Sequence, residues 1–179
     1  MHRYFSVLLI CFFLTGCSVK PTLPARQNID RLSRQLQNLD GAVTAQESTL
    51  LAGDIYKKAN ELAKSFELVS PPQFHNFLVN VGLKERGLCY HFSDALYRHL
   101  KSRHYESFEF HLVGANIGEY WREHNALAVV AKGCKSETCI MGNGIVIDAW
   151  RDSGKLYFSA LKEDKGYQWE HRPKRCEVR

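Results

Sequence analysis

Apolar residues recur every three or four positions as far as Leu100, and every second position or in unbroken runs from Phe108 onward. That change of period divides the chain, with helices first and strands after them. Ile29, Leu32, Leu36 and Leu39 form one helical stripe, which Gly41 ends. Leu51, Ile55, Ala59, Leu62 and Phe66 form a second, opened by the capping-box pattern Thr44-Ala45-Gln46-Glu47 and stopped by Pro71 and Pro72. Phe74, Phe77, Leu78 and Val81 mark a third, with Ser70 and Gln73 placed to cap it and Gly82 to close it. Beyond the polar loop Lys84-Glu85-Arg86-Gly87, the residues Phe92, Ala95, Leu96 and Leu100 carry a fourth helix whose first turn contains Cys89. Phe108, Phe110 and Leu112 then alternate with Glu109 and His111, as in a half-buried strand. Asn125–Ala131 and Ile145–Ala149 are continuous apolar runs suited to inner strands, and Leu156–Phe158 supplies another. The fold class that follows is α+β, with N-terminal helices leading to a helix packed on a small antiparallel sheet.

A chain of 179 residues, 45% apolar and 24% charged, is of a size and composition for one compact domain. Its net charge of +5 is modest and scattered, apart from Arg172, Lys174, Arg175 and Arg179 near the end. No dedicated nucleic-acid reader is expected from that distribution. The basic end reads as a solvated tail, with contact to acidic polymers or lipid headgroups as the alternative. No phosphate loop, dinucleotide fingerprint or metal-ligand spacing occurs, so neither a cofactor nor a metal is expected.

His2 and Arg3 precede an apolar run from Tyr4 to Leu14, too short for the roughly twenty residues that span a bilayer and suited to a signal-peptide core. The following Leu14-Thr15-Gly16-Cys17 resembles the lipobox of bacterial lipoproteins. By that resemblance residues 1–16 are removed, Cys17 is the lipid attachment site, and residues 17–27, with Pro21 and Pro24, form an acylated tether ahead of a single domain over 28–179. By resemblance to the sorting rules of Gram-negative envelopes, Ser18 and Val19, where an Asp would retain the protein, imply the outer membrane with the domain facing the periplasm.

Cys89, Cys134, Cys139 and Cys176 then lie in a compartment that permits disulfides. Cys134 and Cys139 sit close together in a polar, turn-rich segment and are expected to pair across a hairpin tip. Cys176 has no assigned partner; a free thiol, a bond to Cys89 and a link to another chain all stay open.

A thiol nucleophile needs a base to ionise it, and the base needs a third group to orient it. Cys89 at a helix start, where orphan N–H groups and the dipole favour a thiolate, is the candidate nucleophile. A hairpin bridged at its tip by Cys134 and Cys139 sets His124 nearly opposite Asp148, at cross-strand distance. Gly87-Leu88-Cys89-Tyr90-His91-Phe92, then Glu123-His124-Asn125-Ala126, then Ile147-Asp148-Ala149-Trp150 resemble, in order and spacing over about residues 70–160, the transglutaminase-like group of papain-type cysteine enzymes. The resemblance implies a papain-like core with Cys89 as nucleophile, His124 as general base and acid, and Asp148 as the orienting carboxylate. Tyr120, Trp121 and Trp150 stand near the expected substrate cleft.

The chain departs from that group in lacking an aromatic residue after His124 and a Gln shortly before Cys89, where Leu83 and Lys84 stand. Beyond the Cys89 backbone N–H the oxyanion donor is therefore open, with Gln73, Asn76, Tyr120 and Trp121 as candidates. His91 is expected to point away from Cys89 and to serve structure. The function implied is cleavage or transfer of amide or peptide acyl groups through a thioester, on a peptide or protein substrate in the envelope. The competing expectation is a non-catalytic lipoprotein that binds a peptide or partner with the same residues.

Overall fold

A computed structural model describes residues 17–19, 24–119 and 121–172. Cys11, Cys176 and the tail beyond Arg172 fall outside the described residues. In chain order the elements are β1 (Cys17–Ser18), α1 (Arg26–Gln37), α2 (Ala45–Ser65), β2 (Val69–Ser70), α3 (Pro72–Asn80), α4 (Cys89–Lys101), β3 (Phe108–Ala115), β4 (His124–Ala131), α5 (Glu137–Asn143), β5 (Ile145–Asp152), β6 (Lys155–Ala160) and β7 (Glu170–Arg172). The fold is α+β: five helices and a five-stranded antiparallel sheet in the order β6-β5-β4-β3-β7.

The N-terminal helices form for the reasons their periodicity gives. Leu32 and Leu36 of α1 pack on Leu51, Ile55 and Ala59 of α2, and the Ser33 hydroxyl meets those of Ser48 at 3.3 Å and Thr49 at 2.9 Å across the helix pair. Thr44 caps α2 by accepting the Glu47 N–H at 3.1 Å. The Glu47 carboxylate does not complete the expected box. It accepts instead from the N–H groups of Glu106 and Ser107, at 2.6 and 3.1 Å, and so ties the loop before β3 to the start of α2.

Three local expectations need correction. α2 ends at Ser65, ahead of the two prolines, with Glu67 in the left-handed region at φ 46°. Ser70 does not cap α3; it lies in β2 opposite Cys17, and Pro71 occupies the cap position with Pro72 at the first helical residue, where a missing N–H costs nothing. In the segment expected as a tether, Cys17 and Ser18 pair with β2 and the Val19 N–H donates to Leu68, while Arg26 and Gln27 already belong to α1.

Both faces of the sheet are covered, which is why β4 and β5 lack alternation. Leu127, Val129, Ile145 and Ile147 face α4 together with Phe92 and Leu96. Ala126, Ala128, Val130 and Val146 face Ile140 of α5 and Leu161. Strands buried on both sides read as continuous apolar runs.

The connection from β4 to β5 is not a hairpin tip. It carries α5, capped by Ser136, whose hydroxyl accepts the Cys139 N–H at 3.2 Å. Cys134 and Cys139 are disulfide-bonded with Cα atoms 5.5 Å apart, joining the end of the β4 loop to the first turn of that helix. The register of β4 and β5, with Leu127 opposite Ile147 and Val129 opposite Ile145, stands two residues from the expected one. Extended outward, it sets Ala126 opposite Asp148 and His124 opposite Trp150. A shift of two preserves the face on which each side chain lies, whereas a shift of one reverses it.

Candidate functional site

The site lies where the N-terminus of α4 meets the start of β4. Gly87 precedes it at φ 117°, and a Cβ there would stand 2.1 Å from Nε2 of His75. Only glycine meets both demands. The buried His75 ring accepts the Val69 N–H on Nδ1 at 3.1 Å and donates from Nε2 to the Arg86 carbonyl at 2.8 Å. Burial lowers its pKa, in keeping with a neutral ring that both accepts and donates. His91, in the first turn of α4, accepts the N–H groups of Gly87 at 3.1 Å and Leu88 at 3.2 Å on Nδ1, and burial lowers its pKa as well. His91 is therefore a structural cap, as its position on the helix implies. Together these two rings fix the loop that delivers Cys89, a buried free cysteine, to the first residue of α4.

His124 and Asp148 meet despite the shifted register. Diagonal neighbours on one face come within reach of long side chains, and Nε2 of His124 donates to Oδ2 of Asp148 at 2.6 Å, each residue being 2% exposed. The Asp148 carboxylate accepts three further bonds: from the Arg151 side chain at 2.9 Å on Oδ2, and from the Trp150 and Arg151 N–H groups at 3.0 and 3.1 Å on Oδ1. Those two N–H groups are turned inward because the β5–β6 pairing is irregular between Asp148 and Asp152. Burial opposes the charge on Asp148, yet His124 and Arg151 hold its carboxyl below the ordinary carboxylate range. For His124 burial again opposes charge, but the hydrogen bond to Asp148 and the negative charges of Asp148 and Cys89 outweigh it and push the pKa up to about 9. Its second nitrogen, Nδ1, is buried with no hydrogen-bond partner among the described residues.

Aromatic rings enclose the imidazole: Tyr167 at 4.4 Å, Trp150 at 4.8 Å and Trp169 at 5.5 Å between centroids. Trp150 is buried, and its indole N–H donates to Asn76 Oδ1 at 3.0 Å, so it supports the ring from within. Arg151 extends from Asp148 to Asp164, at 3.1 and 2.7 Å, with its guanidinium 3.8 Å above the Tyr157 ring. Asp164 also accepts the Trp169 indole N–H at 2.9 Å.

Strand alternation puts Asn125, the neighbour of His124, on the face of α4. Its Nδ2 lies 3.7 Å from Cys89 Sγ and 3.4 Å from Glu123 Oε1, while Arg172 binds Asn125 Oδ1 and, at 2.6 Å, Glu123. Arg172 is thus part of β7 and of this cluster rather than of a solvated tail.

His124 and Asp148 are hydrogen-bonded, Cys89 lies close enough to bear on the His124 charge, and Trp150 packs on the same ring. Trp121, expected at the cleft, is 85% exposed in the turn between β3 and β4, and Tyr120 lies outside the described residues. Of Cys17 only the backbone pairing is described. Asp164, Tyr167 and Trp169 carry no signal in the sequence, while Asn125, Arg151 and Arg172, visible there as a motif residue, a neighbour of Asp148 and part of the basic end, take partners that no spacing announces. A cavity of about 560 Å³ between α1, α2 and the β5–β6 turn is lined by Arg31, Tyr56, Asn60 and Lys155, and Cys89 is not part of its lining. No cluster of metal-ligating side chains and no helix long and apolar enough to cross a membrane occurs among the described residues.

No family model, no curated protein and no solved structure matches the chain.

Proposed function

We propose that the protein is a cysteine enzyme of the transglutaminase-like, papain-type group, cleaving or transferring amide or peptide acyl groups. The observation that carries the reading is the buried His124–Asp148 pair at 2.6 Å beside Cys89 at the start of a helix. Asp148 fixes the proton on Nε2 and leaves Nδ1 to exchange a proton with the thiol. The thiolate attacks a carbonyl carbon, a C–S bond forms, and the carbonyl electron pair moves to oxygen. Collapse of that intermediate expels the amine, which takes its proton from His124, and leaves a thioester on Cys89. Water or a second amine then gives its proton to His124, attacks the thioester and releases Sγ. The choice between hydrolysis and transfer rests on which nucleophile reaches the acyl group.

The apolar run before Leu14-Thr15-Gly16-Cys17 supports a place for this chemistry in the envelope, with lipid on Cys17 holding the domain to the outer membrane on its periplasmic side and a peptide or protein substrate there.

The test is the rate of iodoacetamide alkylation of Cys89 against pH, followed by mass spectrometry on residues 18–179 and on the His124→Ala variant. Alkylation that persists well below the pH at which an ordinary thiol, near pKa 8.5, falls silent, and that His124→Ala abolishes, is expected. Alkylation confined to alkaline pH in both proteins would replace the enzyme with a non-catalytic module that binds a peptide or partner.

A further inference from the structure

We infer that the side-chain amide of Asn125 is the second oxyanion donor, acting with the Cys89 backbone N–H; the inference rests on the reading of Cys89 as nucleophile. The amide is held one way round. Arg172 donates to Oδ1, and Glu123 Oε1 faces Nδ2 at 3.4 Å. A flipped amide would set its NH2 against the guanidinium and its oxygen against the carboxylate, two contacts of like sign. Nδ2 is therefore directed at Sγ, 3.7 Å away, with Asn125 only 5% exposed.

Nδ2 carries two N–H groups: one serves the Glu123 carboxylate, and the other meets the thiol sulfur, which accepts hydrogen bonds poorly. When Sγ bonds to a carbonyl carbon, the oxygen two bonds from the sulfur becomes a strong acceptor on the side of the amide that faces Sγ and carries the developing negative charge. An interaction weak before the reaction and strong within it is the kind that accelerates chemistry. The first-turn N–H of Cys89, without an acceptor inside its helix, supplies the other donor. Of the candidates read from the sequence, Asn76 accepts the Trp150 indole N–H, Gln73 and Trp121 are exposed, and Tyr120 lies outside the described residues.

Two probes separate this role from simple positioning of the thiol. Iodoacetamide alkylates the thiolate by displacement of iodide, with no oxyanion. p-Nitrophenyl acetate acylates it: Sγ bonds to the carbonyl carbon, the oxygen becomes anionic, and collapse expels p-nitrophenolate, which is read by its colour. Both consume the same thiolate, so the ratio of acylation to alkylation rates cancels its population. With the Cys89→Ala background subtracted, Asn125→Ala should lower that ratio about 10²–10³-fold. Asn125→Leu, close in shape and lacking the donor, should do the same with a native circular dichroism spectrum, and Arg172→Gln should give a smaller loss. An unchanged ratio in the two Asn125 variants would overturn the assignment, leaving Asn125 at most a positioning residue. Failure of wild-type Cys89 to react with either probe, or reaction that His124→Ala leaves untouched, would also overturn it and would place the fault in the reading of Cys89.

Discussion

Two histidine–aspartate pairs occur in the described structure, and only one of them stands beside a thiol. His99 Nε2 meets Asp54 Oδ1 at 2.8 Å, much as His124 Nε2 meets Asp148 Oδ2 at 2.6 Å. Asp54 receives the Tyr105 hydroxyl at 3.1 Å and lies 3.3 Å from the Arg103 guanidinium. It joins α2 to the C-terminal end of α4 and to the loop beyond. Asp148 is held by two backbone N–H groups and Arg151, and its imidazole is enclosed by three aromatic rings. The carboxylate–imidazole contact alone is thus a fastening. The N-terminal end of α4 turns one copy into a candidate site by presenting Cys89, while the C-terminal end of the same helix uses the other to secure the helix to α2.

The widest separation between the two pairs should come from removing each imidazole. His124→Ala is expected to slow Cys89 acylation by p-nitrophenyl acetate about 10²–10⁴-fold, whereas His99→Ala should leave that rate unchanged. Equal effects would erase the distinction. Next in size is Gly87→Ala, which places a Cβ within 2.1 Å of buried His75 and strains a positive φ. A loss of about 3 kcal/mol or more in denaturant unfolding is expected, and His75→Ala in the same chain should recover the steric part.

A third test uses pH. The His124 pKa rises from 6.5 to about 9 on folding, so its contribution is complete below 6.5 and disappears as pH climbs through 9. Asp148 is depressed from 3.8, so its contribution is complete above 3.8 and disappears as pH falls through the lower folded value. Thermal unfolding should therefore show the wild-type advantage over Asp148→Asn at its largest between pH 3.8 and 6.5. An advantage that grows toward alkaline pH would contradict the pairing. The smallest effect is the stability cost of His99→Ala, about 1–2 kcal/mol, since its partners are only partly buried.

Much of the frame was legible because it is periodic. The stripes of α1, α2 and α4, the alternation of β3 and the apolar runs of β4 and β5 all follow from spacing, whereas the grouping of Cys89, His124 and Asp148 rests on a family resemblance and an expected strand register. The register differs from the expected one because Ser136-Glu137-Thr138-Cys139 has the composition of a turn. The same residues cap a helix, and the following Gly142 and Gly144 conceal it from any period. His124 and Asp148 still meet because two is an even number in a strand of period two. Asn125 passed as a departure from a pattern, since its value depends on Arg172, 47 positions away, which no local signal connects to it. Tyr167 and Trp169 lie between strands where neither period applies, and Arg151 takes its role from a local irregularity in strand pairing.

Arg151 clasps the carboxylate behind His124 with one part of its guanidinium and Asp164, in the segment that bears Tyr167 and Trp169, with the rest. Any displacement of that segment and the proton affinity of the imidazole are consequently joined in one thermodynamic cycle through the Arg151 guanidinium. Whatever lifts the rings draws on the cation that steadies Asp148, and protonation of His124 in turn alters how readily the rings are lifted, by the same factor in both directions.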